Sequence, residues 1–195
     1  MIAPRMMITA GVIAAIGLAA SACGEDAEPA ESATSPLPSK DAGEAQVTEV
    51  FRDYWRLSNE SNPSEPPSKE LKAVLGAESY KRQVESSKVF PDVTVKGKDE
   101  LTASETRTSS DTKATVEVCY EVHRQLIATK AYDNGTDTIP AGTNIRTDRN
   151  GKPIADGTEV VNLITFERAT TSSDWQVSAT EVGYKSTCDL EKAAS

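Results

Sequence analysis

The sequence predicts an α+β fold in which N-terminal helices pack on a curved, mostly antiparallel sheet. Two observations lead to this prediction. Apolar residues recur at helical spacing in the first half of the chain, and β-favouring residues alternate with polar ones after Phe90-Pro91. Helices that precede a block of strands are the element order of α+β domains.

Three helices are predicted before residue 90. The segment "EAQVTEVFRDYWRL" at 44–57 carries one apolar stripe, formed by Val47, Val50, Phe51, Tyr54 and Leu57. Prolines in 58–68 end this helix, and Ser68 begins a short second helix as its N-cap. The third helix is predicted at 77–87, with Tyr80 and Val84 facing inward.

Five strands are predicted after residue 90, at 93–97, 100–109, 114–129, 159–169 and 174–184. In the third strand, alternation places Val116, Val118, Tyr120 and Val122 on one face. The other, wetter face then holds Glu117, Cys119, Glu121 and His123. A tight turn at 172–174 joins the last two strands, so the sheet is mostly antiparallel.

A long excursion, residues 130–156, is predicted between the third and fourth strands. It is poor in large apolar residues and rich in Asn-Gly and Asp-Gly turn signals. Its fragments "DNGTD" and "TDRNG" resemble parts of calcium loops, but neither has the full order of oxygen ligands, and turn chemistry explains them. We expect a solvated, hairpin-like excursion that is either a binding loop or simply mobile.

The first 22 residues have the layout of a secretory signal, with Arg5 followed by an uncharged apolar run to Ala20. Ala20-Ser21-Ala22-Cys23 resembles the lipobox of bacterial lipoproteins, although leucine is commoner at the position of Ala20. The resemblance implies cleavage between Ala22 and Cys23 and a diacylglyceryl group on the Cys23 sulfur. The alternatives are an ordinary Ala-x-Ala cleavage site and a permanent anchor helix.

Residues 23–43 are predicted to be a lipidated N-terminus and a disordered tether, because this acidic, proline-bearing segment has almost no large apolar residue. A single folded domain is predicted at 44–190, and a disordered tail at 191–195. The expected location is the extracytoplasmic face of the cell membrane, with the lipid on Cys23 as the contact to the membrane.

The charge and the cysteine content limit which partners and which cellular compartment the sequence is compatible with. The chain has 21 basic and 30 acidic residues, and removal of Arg5 with the signal leaves a net charge of −10, which disfavours nucleic acid. With Cys23 assigned to lipid, Cys119 and Cys188 remain in an exported chain, and we expect them to form a disulfide. Two separate buried thiols are the alternative.

The pattern of elements resembles the NTF2-like (SnoaL-like) superfamily, and more closely small lipoproteins of actinobacteria and their phages that carry such a domain. The resemblance rests on "VFRDYWRL", "VTVKG", "ATVEVCYE", "VVNLITFER" and "DWQV" and covers 46–188. It implies helices folded against a bent sheet to form a cone with a pocket.

No catalytic, cofactor or metal site is predicted. His123, the one histidine, could accept a proton beside Glu121 or Glu117, but it is expected to be a polar residue on a strand. The family resemblance implies that a cone could hold acids, histidines or tyrosines, and the candidates here are Tyr54, Tyr80, Tyr120 and Asp53. No catalytic motif of the family can be placed on these positions.

We therefore expect a membrane-anchored, non-catalytic binding or interaction module of the cell envelope. Its partner would be an envelope protein or a small apolar ligand. Two alternatives stay open: a cone-pocket isomerase or hydrolase that acts on a small molecule, and a phage-encoded or accessory envelope factor.

Overall fold

The computed structural model describes residues 40–148 and 150–191 and has the predicted α+β fold. Its elements are α1 Lys40–Glu60, α2 Lys69–Val74, α3 Ala77–Val89, β1 Val93–Lys96, β2 Glu100–Ser110, β3 Lys113–Val122, β4 Gln125–Ala128, β5 Tyr132–Asp133, β6 Thr138–Ile139, β7 Thr158–Glu167 and β8 Gln176–Lys185. Strands β2, β3, β7 and β8 form a four-stranded antiparallel sheet in that order. The helices pack on this sheet.

The three predicted helices are present. Helix α1 begins at Lys40 and so includes the last four residues of the segment that the sequence assigned to the tether. Ser68 is the N-cap of α2, as predicted, and its hydroxyl accepts a hydrogen bond from the backbone N–H of Leu71 at 3.1 Å. Within the described ranges no helix is long and apolar enough to cross a membrane.

The main core lies between α1 and one face of the sheet. Of the predicted stripe, Val47, Phe51 and Tyr54 are buried, and Val50 and Leu57 pack against the core as half-buried residues. They meet alternate residues of β3, β7 and β8: Ala114, Val116, Val118, Ile164, Phe166 and Val177. Full burial of an aliphatic or phenyl side chain contributes about 1.5–3 kcal/mol, so this layer fixes α1 on the sheet.

Helix α3 packs differently from the prediction. Tyr80 and Val84 are only half-buried, whereas Ser79 and Ser87 are the buried residues of this helix. Ser79 donates a hydrogen bond to the carbonyl oxygen of Ser178 in β8 at 2.7 Å. Ser87 instead donates to the carbonyl oxygen of Val84 within α3. The contact with β8 therefore involves a small polar side chain, Ser79, and apolar periodicity does not detect it.

The prediction of one continuous strand at 114–129 was wrong. The chain leaves the sheet after Val122, and β4 pairs with β1 in a separate two-stranded sheet with Val93 opposite Ala128. The break is fixed by Asp99, whose Oδ1 accepts the backbone N–H groups of His123 and Arg124 at 3.1 and 3.0 Å. These donors are consequently paired with a carboxylate rather than with a neighbouring strand.

Gly97 allows the chain to approach closely at this break. It has a φ of 70°, and a Cβ at this position would lie 2.4 Å from the carbonyl oxygen of His123. A side chain is excluded by both the backbone conformation and the contact.

The predicted excursion is tied to the body of the domain. It contains the short hairpin β5–β6, in which Tyr132 lies opposite Ile139. Further along, the backbone N–H of Ile145 donates to the carbonyl oxygen of Leu126 in β4 at 2.9 Å. Its exposed turns match the predicted solvated character, but its second half is anchored beside β4.

Candidate functional site

The C-terminal segment returns over the outer face of the sheet, the face opposite α1. Cys119 of β3 and Cys188 form a disulfide with a Cα–Cα distance of 5.8 Å, which confirms the predicted pairing. Cys119 and Val161 are buried there, and Leu190 packs against them. A disulfide fits an extracytoplasmic location, because such bonds persist in oxidising compartments.

An ion-pair cluster on the outer face reinforces this attachment. Glu117 is only 3% exposed, and its Oε1 lies 2.8 Å from Nζ of Lys185. Lys185 also pairs with Asp189 at 3.0 Å. Hydrogen bonds to Glu117 and Asp189 raise the pKa of Lys185, and the hydrogen bond from Lys185 lowers the pKa of Asp189. Glu117 is therefore committed to Lys185 and is not the partner of His123.

His123 joins the end of β3 to the end of the excursion. Its Nδ1 lies 3.0 Å from Oδ1 of Asp156, and its Nε2 lies 3.5 Å from Oε2 of Glu121. The hydrogen bond with Asp156 is the largest cause of a raised pKa of His123, and Glu121 acts in the same direction. This geometry favours a charged histidine that holds two carboxylates. In the described part of the chain, no cluster of His, Cys, Asp and Glu side chains could hold a metal ion.

His123→Gln is expected to destabilise the protein at acidic pH and much less at alkaline pH. A pKa of His123 that is raised in the folded state stabilises the protein fully below about pH 6.5, the pKa of an unperturbed histidine. This stabilisation is lost as the pH rises through the folded-state pKa. Urea unfolding at several pH values checks this dependence. Because the chain has one histidine, its NMR titration is unambiguous, and Asp156→Asn should lower its midpoint. An equal loss at all pH values would contradict the prediction.

A buried polar cluster lies at the break between β3 and β4. Two nitrogens of Arg146, from the excursion, each donate to one carboxylate oxygen of Asp99 at 2.7 Å. The side chains of Arg146 and Asp99 are 15% and 8% exposed. Burial would lower the pKa of Arg146, but the hydrogen bonds and charge of Asp99 outweigh it, and the net change is upward. This pair fixes the excursion to the domain.

Tyr120 lies beside this cluster. Burial is the main cause of its raised pKa, and the Nδ2 of Asn162 donates to its hydroxyl oxygen at 3.3 Å. The Trp55 ring packs edge-on against it at a centroid distance of 5.1 Å. Tyr120 is thus a packed core residue with a satisfied hydroxyl.

The other candidates from the sequence do not gather around Tyr120 as a catalytic set. Tyr54 is a core residue whose hydroxyl lies 3.2 Å from Oγ1 of Thr180. Tyr80 is half-buried, with Nζ of Lys72 4.8 Å from the ring centroid. Asp53 is exposed and pairs with Arg56.

A groove with a largely apolar lining lies beside a bulge in β8. Between the pairs Leu163–Glu181 and Val161–Lys185, three residues of β8 face one residue of β7. Gly183 has a φ of 64°, and its N–H donates to Oδ1 of Asn162 at 3.0 Å. The depression, which we name the bulge groove, has a volume of about 400 Å³, and its apolar walls are Pro153, Ile154, Ala155, Val160 and Val182.

Residues of the excursion form one wall of the bulge groove, and β7 and β8 form the other. Val182 is 47% exposed and presents an apolar side chain to this groove. The bulge groove is also lined by four charged residues: Asp148, Lys152, Glu159 and Lys185. Sequence patterns did not predict this groove, beyond the expectation that the excursion could bind a partner, because the bulge depends on the pairing of β7 with β8.

No known family model matches the chain, and no curated protein matched it in sequence. The predicted signal peptide at 1–22, its cleavage between Ala22 and Cys23, the lipid on Cys23 and the tether up to residue 39 all lie outside the described residues. So do residues 192–195 of the predicted tail.

Proposed function

We propose that the protein is a lipid-anchored extracytoplasmic lipoprotein whose folded domain is a non-catalytic binding module of the cell envelope. The observation that carries this proposal is the Cys119–Cys188 disulfide. It pairs two of the three cysteines and leaves Cys23, which follows the lipobox-like residues, for the lipid. Two acyl chains on Cys23 would hold the protein firmly, because each buried methylene adds about 0.8 kcal/mol.

The domain is proposed to be NTF2-like. Two observations support this assignment: helices packed on a four-stranded antiparallel sheet, and a resemblance that extends over 46–188. Superfamily membership does not specify an activity, because related folds host unrelated functions.

The bulge groove is the proposed contact surface, and the proposed partner is an envelope protein that inserts an apolar side chain beside a basic one. Ile154, Val160 and Val182 offer an apolar lining in a depression of about 400 Å³. The net charge of −10 that remains after removal of the signal favours a basic partner over an acidic one. The excursion would then serve as the binding loop that the sequence suggested.

Cys23→Ala tests the anchor. We expect the wild-type protein to enter the detergent phase, and the variant to be released to the medium or to stay unprocessed, because the acyl chains require the thiol. Phase partitioning and intact mass of the full-length protein measure this. Ser21→Ala keeps a small residue before the cysteine and should behave like the wild type. Unchanged partitioning of Cys23→Ala would refute the lipid anchor.

Photo-crosslinking on intact cells tests the binding surface. A crosslinking residue at Ile154 should repeatedly capture one envelope protein, and Val182→Asp should abolish that capture, because an apolar side chain of the partner would remove water from the new carboxylate. The control places the same residue at Lys81, on the exposed surface of α3. Capture of the same proteins from both positions would count against the groove.

A further inference from the structure

Arg124 lies in a second depression that shares no residue with the bulge groove. This Arg124 cleft has a volume of about 240 Å³ and lies between the end of α1, the loop at 61–67, α3 and Arg124 itself. Its polar lining includes Tyr54, Ser58, Ser61, Gln83 and Ser86. The small volume and the many hydroxyl groups suit a small polar molecule rather than a large apolar one.

The guanidinium of Arg124 is incompletely satisfied. One terminal nitrogen donates to the carbonyl oxygen of Ser61. Its Nε is buried and has no hydrogen-bond partner in the described part of the protein. Among the described residues, no carboxylate forms an ion pair with this side chain. A buried donor without a partner loses the hydrogen bonds that it would make with water and destabilises the folded state, so this arrangement requires a reason.

The neighbouring carboxylate of Asp99 compensates the charge of Arg124 only in part, because its charge raises the pKa of Arg124 less than burial and Arg146 lower it. Both oxygens of Asp99 bond to the guanidinium of Arg146, and Asp99 reaches Arg124 only through the backbone N–H. Two arginines consequently share one acid, and the cluster carries an excess positive charge. Burial, followed by the charge of Arg146, lowers the pKa of Arg124, which is the effect of an incompletely compensated cation.

The remaining charge at the cleft is peripheral. Glu65 is its one acidic lining residue and is exposed, with Oε1 3.4 Å from Nδ2 of Asn62. Exposed charges are screened by water and salt, whereas the half-buried guanidinium is screened less. An anion in the cleft would therefore be attracted to Arg124 more strongly than it is repelled by Glu65.

We infer that the Arg124 cleft binds a small hydroxylated carboxylate or phosphate. The acid group lies against the guanidinium of Arg124, and the hydroxyl groups bond to the serine and glutamine side chains of the walls. Arginine suits both acid groups, because its planar donors match carboxylate and phosphate oxygens. This ligand site is independent of the protein contact proposed for the bulge groove.

Calorimetric titration of the full-length protein in detergent tests the site with three probes: D-glucuronate, D-glucose and inorganic phosphate. We expect D-glucuronate to bind at one site and D-glucose to bind at least about ten-fold more weakly, since a hydrogen bond to a charged group is worth about 1.5–3 kcal/mol. If phosphate binds more tightly than D-glucuronate, the natural ligand is a phosphate. If D-glucuronate binds more tightly, the natural ligand is a carboxylate. Failure of both anions to bind would overturn the inference.

Two substitutions assign the binding to the cleft. Arg124→Met should weaken anion binding at least about ten-fold, while Arg56→Met, at an exposed arginine, should leave it unchanged. Gln83→Glu keeps Arg124 and its bond to Ser61 but adds a carboxylate to the wall. It should raise the thermal midpoint and weaken anion binding. If Arg124→Met does not fold, the anion affinity of Gln83→Glu is the deciding measurement. Unaltered anion binding in Gln83→Glu would overturn the inference.

Discussion

Asp99→Asn is expected to lower the free energy of unfolding by about 3–5 kcal/mol, the usual loss when one partner of a buried ion pair is removed. Asp99 accepts two hydrogen bonds from Arg146 and one each from the backbone N–H groups of His123 and Arg124. Asparagine has the same shape but no charge, and its amide nitrogen cannot accept the hydrogen bond that Oδ2 of Asp99 accepts from Arg146. Two arginines would then share a site without a compensating acid.

Urea unfolding of the full-length protein measures this loss, and Glu60→Gln is the matched control. Glu60 also pairs with two cations, Arg56 and Lys98, but its side chain is 45% exposed. We expect the control to change the stability by less than about 1 kcal/mol. The double variant Asp99→Asn/Arg146→Leu should lose less stability than the sum of the losses in Asp99→Asn and Arg146→Leu, because both single variants break the same ion pair. Equal losses in Asp99→Asn and Glu60→Gln would contradict the structural role of this pair.

The Asp99–Arg146 pair shows why sequence patterns miss buried polar contacts. Its members are separated by 47 residues, and Arg146 lies in a segment rich in turn residues with few large apolar ones. Periodicity identifies the apolar face of a helix or strand, but it does not tell which charged residue of a loop becomes buried. Glu117 is a similar case: it was placed correctly on the face opposite the core, but its burial depends on Lys185 in a distant strand.

The break between β3 and β4 was missed for a related reason. The alternating pattern of β3 continues past Val122, so a single long strand agrees with the local sequence. The chain turns because Asp99 binds the backbone of His123 and Arg124, and because Gly97 permits a close approach. Both causes lie more than twenty residues before the break and leave no trace in its own periodicity.

The parts of the structure that were predicted correctly depend on local sequence patterns or on the number of cysteines. The prediction of an apolar stripe on α1 was correct, because Val47, Phe51 and Tyr54 recur at helical spacing and pack against the sheet. The disulfide followed from two cysteines left in an exported chain once Cys23 was assigned to lipid. The bulge groove and the Arg124 cleft required the three-dimensional structure, since each is formed by segments that are distant in sequence.

Replacement of both Cys119 and Cys188 by alanine is expected to lower the free energy of unfolding by about 4 kcal/mol. The bond closes a sequence separation of 69 residues, and a link across a loop of this length removes much of the conformational freedom of the unfolded chain. It also holds the C-terminal segment on the outer face, so that Leu190 covers Cys119 and Val161. The double variant should therefore also show faster backbone hydrogen exchange after Lys185.

Urea unfolding with and without a reducing agent measures this effect. The reducing agent should destabilise the wild-type protein by nearly the same amount as the double substitution, and it should have no effect on the double variant. Cys23→Ala is the control, because it removes the one other cysteine and should leave the stability of the domain unchanged. A non-reducing peptide map with free thiols at Cys119 and Cys188 would refute the pairing. If the bond is present but its removal costs less than about 1 kcal/mol, the Lys185 ion pairs, rather than the covalent link, hold the C-terminal segment in place.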